Sequence, residues 1–150
     1  MSKQGRCVSF TGTFHHTIDS KGRLIFPSRL REELEENKVM LMAAPDPCIA
    51  VWSGEAWRDY EARLIGQQKA DESKRDVIRE LFSNGHADKV DGQGRISTTP
   101  ELREHAGITR EVVIVGAGDH AEIWNPETLA ERQASVKEAG LSRLFENLDI

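Results

Sequence analysis

Two stretches of this chain repeat one arrangement of charge. Asp19-Ser20-Lys21-Gly22-Arg23 and Asp91-Gly92-Gln93-Gly94-Arg95 each place an aspartate four residues before an arginine, with glycine directly ahead of the arginine. An aspartate opening a tight turn can hold turn N–H groups, and glycine can take the positive φ that such a turn needs. Asp19 and Asp91 therefore read as braces, with Gly22 and Gly94 as the turn residues. Bracing the turn by pairing with the arginine is a sufficient role for Asp19 and Asp91, but not for Arg23 and Arg95. A guanidinium is a fork of donors that matches phosphate oxygens or the O6 and N7 of guanine. Lys21 at one tip and Gln93 at the other add donors beside them. A duplicated, rigid, cation-bearing turn suits entry into a groove of duplex DNA.

The turns belong to a longer repeat. "IDSKGRLIFPSRLRE" (18–32) and "VDGQGRISTTPELRE" (90–104) align at a constant offset of 72 residues. At that offset Leu30-Arg31-Glu32 falls on Leu102-Arg103-Glu104, Val51-Trp52 on Ile123-Trp124, and Glu55 on Glu127. Matches in step over this length mark a tandem duplication, with a first copy in 1–82 and a second in 83–150. Each half, at about 70 residues, is close to the lower limit for a self-sufficient core, so the halves should share one.

The elements that must position the turns can be read in each copy. Val8–Phe14 alternates as a strand, and a short extended segment, His16-Thr17-Ile18, enters the first turn. Arg23–Phe26 returns from it, so the phrase reads as a β-hairpin with Lys21 at its tip. Pro27-Ser28 opens a short helix, Arg29 to Glu36. Strands follow at Val39–Met42 and Ile49–Trp52. Ser53 reads as the N-cap of a helix from about Glu55 that carries Trp57, Tyr60, Leu64 and Ile65 to near Gly66 or slightly beyond. A second helix, Glu72 to Phe82, should place Val77, Ile78, Leu81 and Phe82 on one face. After a turn-rich junction at 83–86 the order restarts: Val90 into the second turn, Arg95–Ser97, a helix from Glu101 to His105 stopped by Gly107, and strands at Val112–Val115 and Ala121–Trp124. Asn125-Pro126 caps a last amphipathic helix from about Glu127. Leu141, Leu144, Phe145 and Leu148 form an apolar stripe in the tail, suited to covering a core or a neighbouring subunit.

Composition fits a soluble globular protein: 150 residues, 38% hydrophobic and 30% charged. No apolar run approaches the roughly 18–20 residues that span a bilayer, and the N-terminus lacks the apolar stretch of a signal peptide. The expected address is the cytoplasm, without a membrane partner. Cys7 and Cys48 lack metal-ligand spacing and read as free thiols. The net charge of −5 hides an asymmetry, because residues 1–31 carry +5 and the remainder −10. Such an imbalance can mark a surface for an anionic partner, or simply a solvated face.

Catalysis finds little support. His15 and His16 are adjacent on an extended segment and point to opposite faces, so they cannot share an ion. His86, His105 and His120 are scattered. There is no P-loop, G-x-S-x-G or G-x-G-x-x-G. We expect no enzyme, no metal, no cofactor and no small-molecule substrate.

"FTGTFHHTIDSKGRLIFPSRLREEL" and "VDGQGRISTTPELREHAGI" resemble the two signature segments of the MraZ family of bacterial transcriptional regulators, related in fold to AbrB and MazE DNA-binding domains. "CIAVW" and "AEIW" fit the strands that close each repeat. The resemblance runs from residue 5 to about 130 and departs at Ser97-Thr98-Thr99, where the family usually has a more apolar strand end. It implies an α+β, mainly β fold: a tandem-repeat, swapped-hairpin, AbrB-like double-split β-barrel with flanking helices. It further implies a nucleoid-associated homo-oligomeric ring that binds direct repeats in promoter DNA, with repression of the division and cell-wall gene cluster as the usual role. The motif arginines fall on Arg23 and Arg95. Lys21 and Gln93 extend the set by position, and Arg29, Arg31 and Arg103 are further candidates for phosphate contact. Two alternatives stand beside this reading: a structural or protein-interaction oligomer, and an antitoxin-like adaptor of the same superfold.

Overall fold

The computed structural model describes residues 9–150. Eight strands and six helices follow in the order β1 (Thr13–Thr17), β2 (Arg23–Ile25), α1 (Ser28–Arg31), β3 (Lys38–Ala43), β4 (Ile49–Trp52), α2 (Gly54–Ala70) and α3 (Glu72–Ser83), then β5 (His86–Lys89), β6 (Arg95–Ser97), α4 (Pro100–Ala106), β7 (Glu111–Gly116), β8 (Ala121–Trp124), α5 (Pro126–Ala139) and α6 (Leu141–Phe145). The class is α+β. Helical residues outnumber strand residues, because α2, α3 and α5 lie outside the sheet; "mainly β" holds for the core and not for the chain.

All strand pairing is antiparallel. One sheet has the order β1-β7-β8-β4-β3-β5, and β2 pairs with β6 in a separate ribbon. The six-stranded sheet does not close on itself, so what the described strands show of the expected double-split β-barrel is an open antiparallel sheet with a separate ribbon. The pairing interlocks the repeats: β1 lies on β7, β5 on β3, β4 on β8 and β2 on β6. In the ribbon Leu24 faces Ile96, and in the sheet Ala50 faces Glu122. Each of these residues thus pairs with its own counterpart 72 positions away, which places a pseudo-twofold axis between them.

Alternation along the strands divides the core in two. Ile49 and Val51 of β4, Val112 and Ile114 of β7, and Ile123 of β8 face one side. There they meet Leu24 and Ile96 of the ribbon, Phe26, Leu30 of α1 and Leu102 of α4. Ala50 and Trp52, Val113 and Trp124 face the other side, under Trp57, Tyr60 and Leu64 of α2 and Leu81 and Phe82 of α3. Both faces of β4 are covered, which explains why all four of its residues are buried. Burying a Leu or Ile side chain contributes about 1.5–3 kcal/mol, and the first of these clusters draws on both repeats.

Several expectations need correction. The strand expected over 8–14 is interrupted at Gly12 (φ 103); Phe10 makes only a bridge to Gly118, and the ladder proper begins at Thr13. Val8 lies outside the described residues. The two strands flanking Asp19–Arg23 do not pair with each other as a hairpin. They part after the turn, because Ile18 N already donates to Arg110 O and β2 turns to β6. The helix expected to Glu36 stops at Arg31: Pro27 offers no capping side chain, Leu34 drops into the core, and Glu36 and Asn37 take positive φ. Its counterpart α4 is longer, being capped by Thr99 and ended by Gly107 in the left-handed region. Ser53 begins α2 but does not cap it through its side chain, because Ser53 Oγ donates to Lys38 O (2.7 Å) and accepts from Glu35 N (2.9 Å). In α3, Ile78 is buried but Val77 is exposed. The junction at 83–86 leads directly into β5, a strand that no alternating apolar pattern marks in the sequence. The helix from Asn125 buries no residue fully, and Gly140 (φ 89) divides it from α6. The tail stripe does not cover this chain's core, since Leu141, Phe145 and Leu148 are exposed.

Candidate nucleic-acid interface

Each turn is built from its aspartate outward. Asp19 Oδ1 accepts from Lys21 N and Arg23 N, both at 2.9 Å, and Oδ2 accepts from Arg23 Nε at 3.0 Å. Asp91 repeats this atom for atom: Oδ1 accepts from Gln93 N and Arg95 N at 2.9 Å, and Oδ2 from Arg95 Nε at 3.0 Å. Asp19 N and Asp91 N donate to the carbonyls of Arg23 and Arg95, while Gly22 N and Gly94 N donate back to Asp19 O and Asp91 O. Both glycines stand at φ 80, where any side chain would be strained. Hydrogen bonds from the arginine backbone N–H groups, reinforced by the other donors of the turn and the guanidinium charge, hold both aspartate carboxyls below their ordinary pKa.

This geometry fixes each guanidinium through one nitrogen. Among the described residues the terminal amino groups of Arg23 and Arg95 make no hydrogen bond, and both side chains remain partly exposed. Lys21 and Gln93 are exposed at the tips. In the ribbon Arg23 lies opposite Ser97 and Arg95 opposite Ile25. The two arginines are thus a diagonal pair on the face opposite Leu24 and Ile96, close enough for long side chains to share one ligand. Such an array offers two forks and a lysine to a polyanion, with the forks already oriented.

The other candidates lie elsewhere. Arg29 is exposed on α1, where Nη2 donates to Thr11 Oγ1 at a long 3.4 Å. Arg31 and Arg103 are half-buried, and each lies against the turn glycine of the opposite repeat: a Cβ on Gly94 would overlap Arg31 Nη1, and one on Gly22 would overlap Arg103 Nη1. The polar segment Ser97-Thr98-Thr99 is fully used. Ser97 N and Oγ donate to Asp88 Oδ2 at 2.7 and 2.9 Å, Thr98 Oγ1 donates to Gly22 O at 2.8 Å, and Thr99 Oγ1 accepts from Leu102 N. Thr98 stands out in the sequence only as part of the departure at 97–99, and Asp88 does not stand out at all. The sequence signal for Thr98 is the polar replacement of Ile25-Phe26 by Ser97-Thr98 at the 72-residue offset.

Away from the turns, Cys48 is buried and its thiol is pushed up to about 12 by burial, which suits an inert side chain. The Cys7 position lies outside the described residues. No group of three or more His, Cys, Asp or Glu among the described residues could hold a metal ion. No helix of the described residues is long and apolar enough to cross a membrane.

The family model described as "MraZ protein, putative antitoxin-like" matches twice, over residues 9–80 and 81–149. The chain belongs to the MraZ family. The MraZ match thus covers both D-x-x-x-R turns and the helices that follow them. Relatives named "Transcriptional regulator MraZ" are similar over nearly the whole chain. One from Lactobacillus helveticus is 36% identical over 140 residues, covering 93% of this chain and 96% of the relative. One from Thermoanaerobacter sp. is 36% identical over 138 residues, covering 92% and 95%. One from Moorella thermoacetica is 36% identical over 143 residues, covering 94% and 99%.

Proposed function

We propose that this chain is a DNA-binding transcriptional regulator whose two D-x-x-x-R turns contact duplex DNA. The observation that carries the reading is the duplicated turn itself, with Arg23 and Arg95 oriented by Nε and open at their terminal nitrogens. Arg23 and Arg95 reach base edges or phosphates, Lys21 and Gln93 extend the contact at the tips, and Arg29 adds positive charge toward the phosphates at the flank. The names of the similar MraZ proteins support regulation of transcription. No catalytic role is assigned.

A net charge of −5 opposes DNA, so one chain presenting a pair of turns binds weakly. Copies joined in a ring, with their turns on one face, engage successive direct repeats in a promoter. Each later engagement is then intramolecular, and avidity can exceed single-site affinity by about 10²–10⁴. The exposed Leu141, Phe145 and Leu148 supply apolar surface for contacts between copies. The regulated site is the chain's own upstream region in the division and cell-wall gene cluster, with repression as the outcome, in the cytoplasm at the nucleoid.

The test is a mobility shift and anisotropy titration on duplexes from that upstream region, carrying one repeat, two repeats, or two repeats at scrambled spacing. We expect tight binding only with correctly spaced repeats. Affinity should fall steeply with salt, with a log–log slope near −0.9 per phosphate neutralised. Equal, salt-insensitive binding to all three duplexes would contradict the proposal.

A further inference from the structure

The residues that fix where each turn stands belong to the opposite repeat. Arg103 of α4 donates from Nη1 to Thr98 Oγ1 (2.9 Å) and Thr98 O (3.2 Å). Thr98 in turn donates from N and from Oγ1 to Gly22 O, both at 2.8 Å. The same Arg103 nitrogen fills the space that a Cβ on Gly22 would need. One guanidinium of the second repeat thereby seats the turn of the first. Across the pseudo-twofold axis, Arg31 of α1 fills the corresponding space at Gly94, and Phe26 N donates to Gly94 O at 2.9 Å. That side lacks the hydroxyl, because Phe26 stands where its counterpart is Thr98, and the Arg31 guanidinium makes no hydrogen bond among the described residues.

We propose that Arg31 and Arg103 are positioning residues that set the separation and orientation of the two turns, and that the Arg103–Thr98–Gly22 clasp is the stronger of the two. The proposal rests on the reading of the turns as DNA contacts and assigns these arginines a place behind the contact surface. Three features carry it. Both guanidinium groups are half-buried against backbone rather than extended into solvent. Each meets a glycine that is buried and held at φ 80. The bonds run across the repeat boundary, so they fix one tip relative to the other, which bonds within a turn cannot do. Thr98 is itself buried, so its hydroxyl has no water to substitute for the carbonyl it serves.

The variants are Arg103→Ala, Thr98→Val and both together, with Arg31→Ala as the weaker counterpart. The probe is the upstream duplex, native and with a single base pair inserted between the segments that the two turns occupy. Arg103→Ala and Thr98→Val should each lower affinity several-fold and reduce the preference for the native spacing. The double variant should be little worse than either single one, and the salt slope should not change. The ratio between the two probes does not respond to the fraction folded, which separates positioning from general stability. A salt slope smaller in magnitude by about 0.9 in Arg103→Ala, with spacing preference intact and Thr98→Val without effect, would make Arg103 a phosphate contact and overturn the proposal. Without DNA, exchange of the Lys21, Gly22 and Arg23 amides should rise about tenfold in both single variants. Unchanged exchange would overturn the clasp even if the wild type bound every probe. Failure of the wild type to bind any probe, with exchange raised as expected, would remove the DNA reading and leave the clasp standing.

Discussion

Arg23 and Arg95 are each tied to a carboxylate through Nε, and the tie defines what the aspartates should do when removed. Both aspartate pKa values are depressed, first by the arginine backbone N–H groups. The sign follows: the stabilisation is present above the ordinary carboxylate pKa of about 4 and is lost as pH falls through the depressed folded values. Asp19→Ala and Asp91→Ala should therefore lower Tm at neutral pH, flatten the acid limb of Tm against pH, and weaken DNA binding together. Thermal scans from about pH 2 to 7 check this; a variant with full Tm that loses only DNA binding would make the aspartates direct contacts. At Gly22, the positive φ strains any side chain, and an added Cβ would also displace the Arg103 guanidinium from its seat. Gly22→Ala should cost at least about 1–3 kcal/mol in a denaturant titration. The brace was legible in the sequence because it lies within five consecutive residues. The seating of Arg103 on Gly22 was not, because it joins residues 81 positions apart whose proximity only the cross-repeat ribbon creates.

At the scale of elements, β2, β3, β4, β6, β7, β8 and α4 stand close to where composition and turn signals put them. Their pairing partners do not follow from local pattern. An aspartate–glycine turn between two extended segments predicts a hairpin, whereas here each flanking strand finds its ladder in the other repeat. The limits of α1 were missed for a related reason: burial of Leu34 and the positive φ of Glu36 and Asn37 override a helical composition. A second cross-repeat contact is open to test. Trp52 of β4 stacks on Tyr60 of α2 and on His120 of the β7–β8 turn, each at 4.4 Å. His120 bonds Asp119 at 2.7 Å and Glu122 at 3.1 Å, and Glu122 also accepts from Trp124 Nε1. Burial opposes charge on His120, but the two carboxylates outweigh it and raise its pKa. The charged form thus stabilises the fold fully below the ordinary histidine pKa of about 6.5, and this is lost as pH rises through the raised folded value. Between about pH 6 and 8, Tm should fall more in the wild type than in His120→Gln. Parallel curves would mean that Asp119 and Glu122 do not favour the charged form of His120 in the folded chain.

For the whole molecule, duplication explains why one acidic chain can carry a cationic, two-turn face. The interlocked strands place both turns on one ribbon. The tail stripe was legible as a row of apolar residues, but its exposure was not, since nothing local tells a core-facing stripe from one left for another chain. If that stripe joins copies, replacing Phe145 and Leu148 with serine should reduce the assembly size in light scattering. It should also lower affinity for a two-repeat duplex by about 10²-fold or more, while one-repeat binding changes little. An unchanged assembly size would place the contacts between copies elsewhere. The central claim, that the duplicated turns hold the DNA, is tested most directly by the Arg23→Ala, Arg95→Ala double variant in an anisotropy titration against the upstream duplex. Each arginine that reaches a base edge should contribute about 1–3 kcal/mol. The double variant should therefore lose specific binding while circular dichroism and assembly size match the wild type; a folded double variant that binds the duplex with wild-type affinity would contradict the account.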